Sequence, residues 1–255
     1  MARIAVAATA PFGADVLERL AAKHDVVQLL TRPDAPRGRG QKLAPSPAKE
    51  VAERLGIPVV HKRDALAAET VVVCAYGLLI PESLLSRALW LNVHPSLLPR
   101  WRGAAPVERA IMAGDARTGV TIHRTTKELD AGPIAAQEAF DIGPEDDASV
   151  VYARAAEVAA RLLDGVLEDP TFTAQPDEGV TYAEKITAAD RELDPSLPAT
   201  ELVNRVRALS PHIGARMGDL VVWKASVDGG AFVPVEVQPA GGRRMDYEAY
   251  LRGRR

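Results

Sequence analysis

The sequence predicts an α/β fold, a doubly wound parallel sheet followed by a smaller β-rich unit. Short apolar runs alternate with amphipathic helical stretches over the first two thirds of the chain. A tract of Pro, Gly, Thr and Asp from Pro170 to about Thr187 breaks that alternation, and two strand-like runs joined by Asp-Gly-Gly follow it. Alternation of this kind makes a parallel sheet with helices on both faces, whose crevice lies beyond the carboxyl ends of the strands.

The elements follow in order. RIAVAA, bounded by Pro11 and Gly13, reads as a buried strand. ADVLERLAAKH puts Val16, Leu17 and Leu20 on one helical face, and DVVQLL completes a β-α-β unit. A helix over PAKEVAERLG, strands at IPVV and TVVVCAY, a helix over PESLLSR and a strand at ALWLNVH continue the pattern. Past Thr118, GVTIHRTT and GPIAAQEAFDI read as two strands. The run DDASVVYARAAEVAARLLDGVLE reads as a long helix capped by Asp146 or Asp147. Beyond the linker tract, ATELVNRVRALS is helical, and LVVWKASV and AFVPVEVQ form a hairpin across Asp-Gly-Gly.

Composition narrows the classes. With 47% hydrophobic and 25% charged residues, the chain is neither disordered nor fibrous. No apolar run approaches the roughly 18 residues that would cross a bilayer, and the opening turns amphipathic too soon for a signal peptide. A cytoplasmic protein is expected. A lone cysteine, Cys74, excludes an internal disulfide framework and reads as a small core hydrophobe. The net charge of -3 is unevenly spread: Arg32, Arg37, Arg39 and Lys42 stand against Asp34 alone, residues 141–194 are acidic, and the tail GGRRMDYEAYLRGRR is basic again. Two positive patches on an acidic chain can contact phosphate, or can be solvated loops.

The chemistry concentrates in Asn92-Val-His94-Pro-Ser-Leu-Leu-Pro-Arg-Trp-Arg-Gly-Ala-Ala-Pro106. At the end of a buried strand, alternation sends Asn92 and His94 to one side and Val93 to the other. An amide can donate to a developing oxyanion, and an imidazole exchanges protons near neutrality. A carboxylate that orients the imidazole is the missing third group, and Asp130, on a loop before Gly132 and Pro133, is the candidate.

NVHPSLLPRWRGAAPVERAIMAGD followed by TGVTIHRTTKELDAGPI closely resembles methionyl-tRNA formyltransferases. TRPDAPRGRGQKLAPSPAKEVA and TYAEKI match two further signatures of that family, so the resemblance covers nearly the whole chain. It implies a Rossmann-like catalytic domain over residues 1–168, a linker over 169–188 and a reduced, OB-like tRNA-binding domain over 189–255. It also implies formyl transfer from 10-formyltetrahydrofolate to methionyl initiator tRNA, by a monomer, without metal, DNA or membrane. Asn92, His94 and Asp130 match the catalytic residues. Tyr76, Gly77, Leu78, Leu79 and Ile80, with Lys127, Glu128, Leu129, Ala131 and Gly132, match the carrier site. Arg37, Arg39 and Lys42 match the loop that meets the acceptor stem, Lys185 matches a lysine near the tRNA end, and Arg243, Arg244 and Arg252 form the basic tail. The resemblance further suggests a cis peptide between Leu98 and Pro99. The nearest rival is a sugar-nucleotide N-formyltransferase, which has no evident use for the Arg39 loop or the tail. A binding module that has lost catalysis is disfavoured by the retained Asn92, His94 and Asp130.

Overall fold

The computed structural model describes residues 1–37 and 41–253. The elements run β1 (Arg3–Ala8), α1 (Pro11–Ala21), β2 (Asp25–Leu30), β3 (Ala35–Arg37), β4 (Lys42–Ala44), α2 (Pro47–Leu55), β5 (Val59–Val60), β6 (Thr70–Cys74), α3 (Glu82–Leu85) and β7 (Leu89–His94). They continue with β8 (Arg102–Gly103), α4 (Pro106–Met112), β9 (Arg117–Arg124), β10 (Ile134–Asp141), α5 (Ala148–Val166), β11 (Tyr182–Ala183), α6 (Ala188–Arg191) and α7 (Ala199–Leu209). The last are β12 (Ala215–Met217), β13 (Leu220–Asp228), β14 (Ala231–Pro239), β15 (Met245–Asp246) and α8 (Tyr247–Arg252).

Two compact units result, and neither is continuous in sequence. The first comprises Met1–Arg102, Gly119–Ala139 and Ala153–Thr181; the second comprises Gly103–Thr118, Phe140–Tyr152 and Tyr182–Arg255.

The first unit is built on a seven-stranded sheet of order β10-β9-β7-β6-β1-β2-β5. The pairs from β5 to β7 are parallel, and β9 turns antiparallel against β7. The central strands are near-continuous apolar runs because helices and loops cover both faces; Ile4 to Ala8 are fully buried. On α1, Val16, Leu17 and Leu20 form the buried face that their spacing predicts. The helix lies so close to the sheet that a Cβ on Gly13 would stand 2.3 Å from the Cys74 carbonyl oxygen. The helix expected over PESLLSR is only the single turn of α3.

In the second unit Leu202, Val206 and Leu209, spaced i, i+4 and i+7 on α7, pack on the sheet β12-β13-β14-β15. Val222 and Val237 face each other across β13 and β14, and both are fully buried. The hairpin turns through Gly229 and Gly230 at positive φ, as Asp-Gly-Gly predicts. Where the sequence shows two strand runs, the sheet has four strands; β12 and β15, of three and two residues, are too short to leave a periodicity. Asp147 is the N-cap of α5: its Oδ1 accepts from the backbone N–H groups of Ser149 at 2.9 Å and Val150 at 3.1 Å. Asp146 instead accepts from Gly143.

Candidate active site

The site lies where the sheet changes from parallel to antiparallel pairing. On β7 the buried runs hold Asn92 and His94 on one face, and β9 places His123 opposite Asn92 and Thr121 opposite His94. Four polar side chains at two-residue spacing therefore meet on one patch of the sheet. His94 is 4% exposed and His123 1%.

The Asp130 carboxylate reaches this patch from the turn that joins β9 to β10. Its Oδ1 lies 3.2 Å from Asn92 Nδ2 and its Oδ2 lies 3.6 Å from His94 Nδ1. The turn is tight. Asp130 has φ +48°, and a Cβ on Gly132 would stand 1.7 Å from the Arg124 carbonyl oxygen, so only glycine fits there. On the other side of His94, Trp101 has φ +65° and turns its carbonyl oxygen to His94 Nε2 at 2.8 Å. Such backbone costs about 1–3 kcal/mol per residue and gathers where function needs a group held in place. Leu98–Pro99, just before this turn, is cis, in line with the resemblance.

The hydrogen-bond pattern assigns the protons. A carbonyl oxygen only accepts, so His94 Nε2 carries a proton for Trp101, and neutral His94 presents a lone pair at Nδ1 towards Asp130. Burial pushes the His94 pKa down; the Asp130 charge and the Trp101 carbonyl oppose this without reversing it. His94 is thus held in its basic, neutral form. His123 Nδ1 donates to the Arg124 carbonyl, which leaves Nε2 to accept from Asn92 Nδ2 at 3.0 Å. Both N–H bonds of the Asn92 amide are therefore directed, one to His123 and one to Asp130.

His123 was not among the residues singled out in the sequence. The available signal was Thr121 and His123 at alternate positions of an apolar strand, the same pattern that marks Asn92 and His94.

The other expected site residues are distributed as follows. Tyr76 is buried in the apolar face of the sheet with Trp90, Val71 and Val73. Gly77, at φ +74°, gives its carbonyl oxygen to Arg32, while Leu78 and Leu79 are exposed and Ile80 is half-buried. Leu129 is exposed, Gly132 is buried and Ala131 lies between. Lys127 and Glu128 are exposed, and Lys127 reaches Glu82 at 3.7 Å. A cleft of about 550 Å³ is lined by the apolar Tyr76, Leu78 and Leu84 and by the charged Lys62, Arg63, Asp64 and Arg87; none of Asn92, His94 or Asp130 lines it. Arg39 and the side chain of Arg37 lie outside the described residues; Lys42, on β4, is exposed.

In the second unit Lys185 is exposed, and its backbone carbonyl accepts from Arg109. Arg243 is exposed. Arg244 lies 3.7 Å over the Trp223 ring and donates to the Pro211 carbonyl, and Arg252 pairs with Glu248 at 3.8 Å. Among the described residues no His, Cys, Asp and Glu cluster is arranged to hold a metal ion, and no helix is long and apolar enough to cross a membrane.

The family model for formyl transferases matches residues 2–167, the stretch that builds this sheet and carries Asn92, His94 and Asp130, so the chain is a group-transfer enzyme of the formyl transferase class. A methionyl-tRNA formyltransferase of Cereibacter sphaeroides is 41% identical over 280 residues, spanning 95% of this chain and 93% of that protein. The chain belongs to the methionyl-tRNA formyltransferase family. Solved structures share the fold: an N-formyltransferase from Helicobacter canadensis has a TM-score of 0.71 at 17% identity, covering 89% of this chain and 88% of that one. A methionyl-tRNA formyltransferase from Clostridium thermocellum has a TM-score of 0.65 at 16% identity, covering 96% of this chain and all of that one.

Proposed function

We propose that this protein transfers the formyl group of 10-formyltetrahydrofolate to the α-amino group of methionine esterified to initiator tRNA, in the cytoplasm and as a monomer. The observation that carries the chemistry is that one carboxylate, Asp130, meets both the Asn92 amide and His94 Nδ1, with His94 held as a base. The acceptor is argued from relatives about 40% identical along nearly the whole chain, all of them methionyl-tRNA formyltransferases. The folate carrier has support from the Helicobacter canadensis neighbour, which was solved with folinic acid.

As the amine attacks the formyl carbon, negative charge grows on the formyl oxygen. The Asn92 N–H now directed at Asp130 turns to that oxygen, and the other stays on His123. His94 Nδ1 takes the proton released by the amine, and Asp130 stabilises the imidazolium that forms. The proton is then delivered to the departing nitrogen of the carrier. Exposed Leu78, Leu79 and Leu129 supply apolar side chains of the kind a pterin packs on. The cleft lined by Lys62, Arg63 and Arg87 against the single acid Asp64 suits the carrier's anionic glutamyl end. Catalysis belongs in this reading to residues 1–168, the connection to 169–188 and tRNA binding to 189–255, helped by Arg37, Arg39, Lys42 and Lys185.

Incubation with 10-formyltetrahydrofolate and either methionyl initiator tRNA or amino-sugar nucleotides tests the proposal. Formylated methionyl-tRNA is the expected product; formylated sugar nucleotide alone overturns it.

A further inference from the structure

We infer that Gln175, in the tract that links the end of α5 to the C-terminal residues, is a positioning residue that holds Asp130 against His94. From Thr173 to Gly179 the chain is exposed except at Gln175, whose side chain alone turns inward. Its Nε2 donates to the backbone carbonyls of Asp130 at 2.7 Å and Gly132 at 2.8 Å. Its Oε1 accepts from Arg102 Nε at 3.2 Å and from an Arg102 terminal nitrogen at 2.6 Å. A primary amide has two N–H bonds to give and two lone pairs to receive, and all four are used. Only one orientation of the amide satisfies this set, because the reverse would face oxygen with oxygen and a guanidinium with N–H groups.

The two carbonyls held in this way flank Ala131 in the turn whose Asp130 has φ +48°. Backbone in that region stays put only when its surroundings over-determine it. Gln175 is itself secured at both ends of its tract. Thr173 exchanges two backbone hydrogen bonds with Ile134, at 2.7 and 2.9 Å. Thr181 Oγ1 accepts from the Trp101 N–H at 2.8 Å, and its carbonyl accepts from the Arg102 N–H at 2.9 Å. One short stretch therefore braces both groups that face His94, the Asp130 carboxylate at Nδ1 and the Trp101 carbonyl at Nε2. The inference rests on the reading of Asp130 and His94 as catalytic only for its kinetic consequence; the geometric claim stands apart from which amine is formylated.

The discriminating variant is Gln175→Met, which keeps length and volume, adds no charge and removes all four hydrogen bonds. The charged and titratable groups that face His94 are Asp130 and His123, and of these Asp130 alone draws its titration upward. The ligand-free protein is titrated by NMR of the His94 imidazole, alongside Asp130→Asn and the double variant. The His94 midpoint should fall in Gln175→Met in the same direction as in Asp130→Asn, and the double variant should match Asp130→Asn alone. The formylation kcat should fall by about 10- to 100-fold, the cost of a modestly misplaced catalytic group, with KM for the folate donor changed less than kcat. A folded Gln175→Met protein with an unmoved His94 midpoint overturns the inference, whatever its activity. If Gln175→Met does not fold, Gln175→Glu serves: it keeps the Arg102 partner and turns an oxygen on the two carbonyls. Its effect on the His94 midpoint should differ between the wild-type and Asp130→Asn backgrounds, and equal shifts in both overturn the inference.

Discussion

His123 Nε2 accepts a hydrogen bond from Asn92 Nδ2 at 3.0 Å, so the orientation of the amide that faces Asp130 is set from the neighbouring antiparallel strand. The bond exists because Asn92 and His123 are a cross-strand pair, and because His123 is kept in the accepting tautomer by the Arg124 carbonyl at 3.1 Å.

Removing the acceptor should therefore weaken Asn92 without touching the substrate. His123→Leu leaves a half-buried N–H unpaired, a loss of about 1–3 kcal/mol that we expect to surface as a kcat lower by tenfold or more. In His123→Gln a side-chain oxygen can still accept, so more activity should survive. Wild-type turnover in His123→Leu, measured under saturating donor and acceptor, would remove His123 from the account.

The protonation state of His94 decides whether it can serve as a base. Burial holds its pKa below the ordinary histidine value of about 6.5, so the neutral base persists to lower pH than an exposed histidine would allow. The His94 imidazole, followed by NMR in the ligand-free protein, should titrate below 6.5, whereas the acceptor's α-amino group, with an ordinary pKa of about 8, sets the acid limb of the rate. His94→Ala should cost about 10²–10⁴ in rate while donor binding survives, because the proton transfer acts in the transition state. A His94 midpoint above 6.5 counts against the assignment.

In the second unit Arg109 on α4 grips Asp190 on α6 at 2.6 and 3.1 Å, each side chain one-fifth exposed. The Arg109 guanidinium, helped by Thr187, holds the Asp190 carboxyl well below the usual range. A depressed carboxylate contributes stability that is fully present above the unfolded pKa of about 3.9 and is lost as pH falls through the folded value. Asp190→Asn keeps one oxygen to accept from Thr187 and cap α6, and loses the charge together with the second oxygen that accepts from Arg109. Urea unfolding should show it about 1–3 kcal/mol less stable at pH 7, with the gap closing below about pH 4. A gap independent of pH would place the effect in packing.

Much of the first unit is legible in the sequence because its strands are buried on both faces and its helices are amphipathic, so RIAVAA, TVVVCAY and α1 announce themselves. Asn92 and His94 are legible for a related reason: two polar residues at alternate positions interrupt an apolar strand. Asp130 is legible as a loop carboxylate, but its approach to His94 depends on a left-handed turn that no periodicity encodes. Gln175 is hidden entirely. The tract around it lacks periodicity because its order comes from side-chain and backbone hydrogen bonds at Thr173, Gln175 and Thr181, which leave no apolar pattern. α4 is obscured too, since PVERAIM follows the proline-rich turn and buries Val107, Ala110 and Ile111 over only seven residues.

The basic residues separate by what they touch, and that separation predicts different kinetics for tRNA. Arg244 is engaged within its own unit, stacked on Trp223 and bonded to Pro211, so Arg244→Ala should loosen the β13–β14 face as well as remove a charge. Arg243 beside it is exposed and suited to a phosphate. Phosphate contacts position without reading, and each one lost lowers the salt slope of binding by about one. Arg243→Ala should therefore raise KM for every tRNA alike and flatten the salt dependence. Arg39, between Gly38 and Gly40 and outside the described residues, is predicted to act differently: a cation that orders the acceptor end must be in place before the amine can reach the formyl carbon. Arg39→Ala should lower kcat on initiator methionyl-tRNA and erode its preference over the elongator. Formylation of both tRNAs across a salt series separates the two effects. If Arg39→Ala behaves like Arg243→Ala, with KM raised equally for both tRNAs and kcat unchanged, the loop supplies charge alone and initiator choice is made elsewhere on the protein.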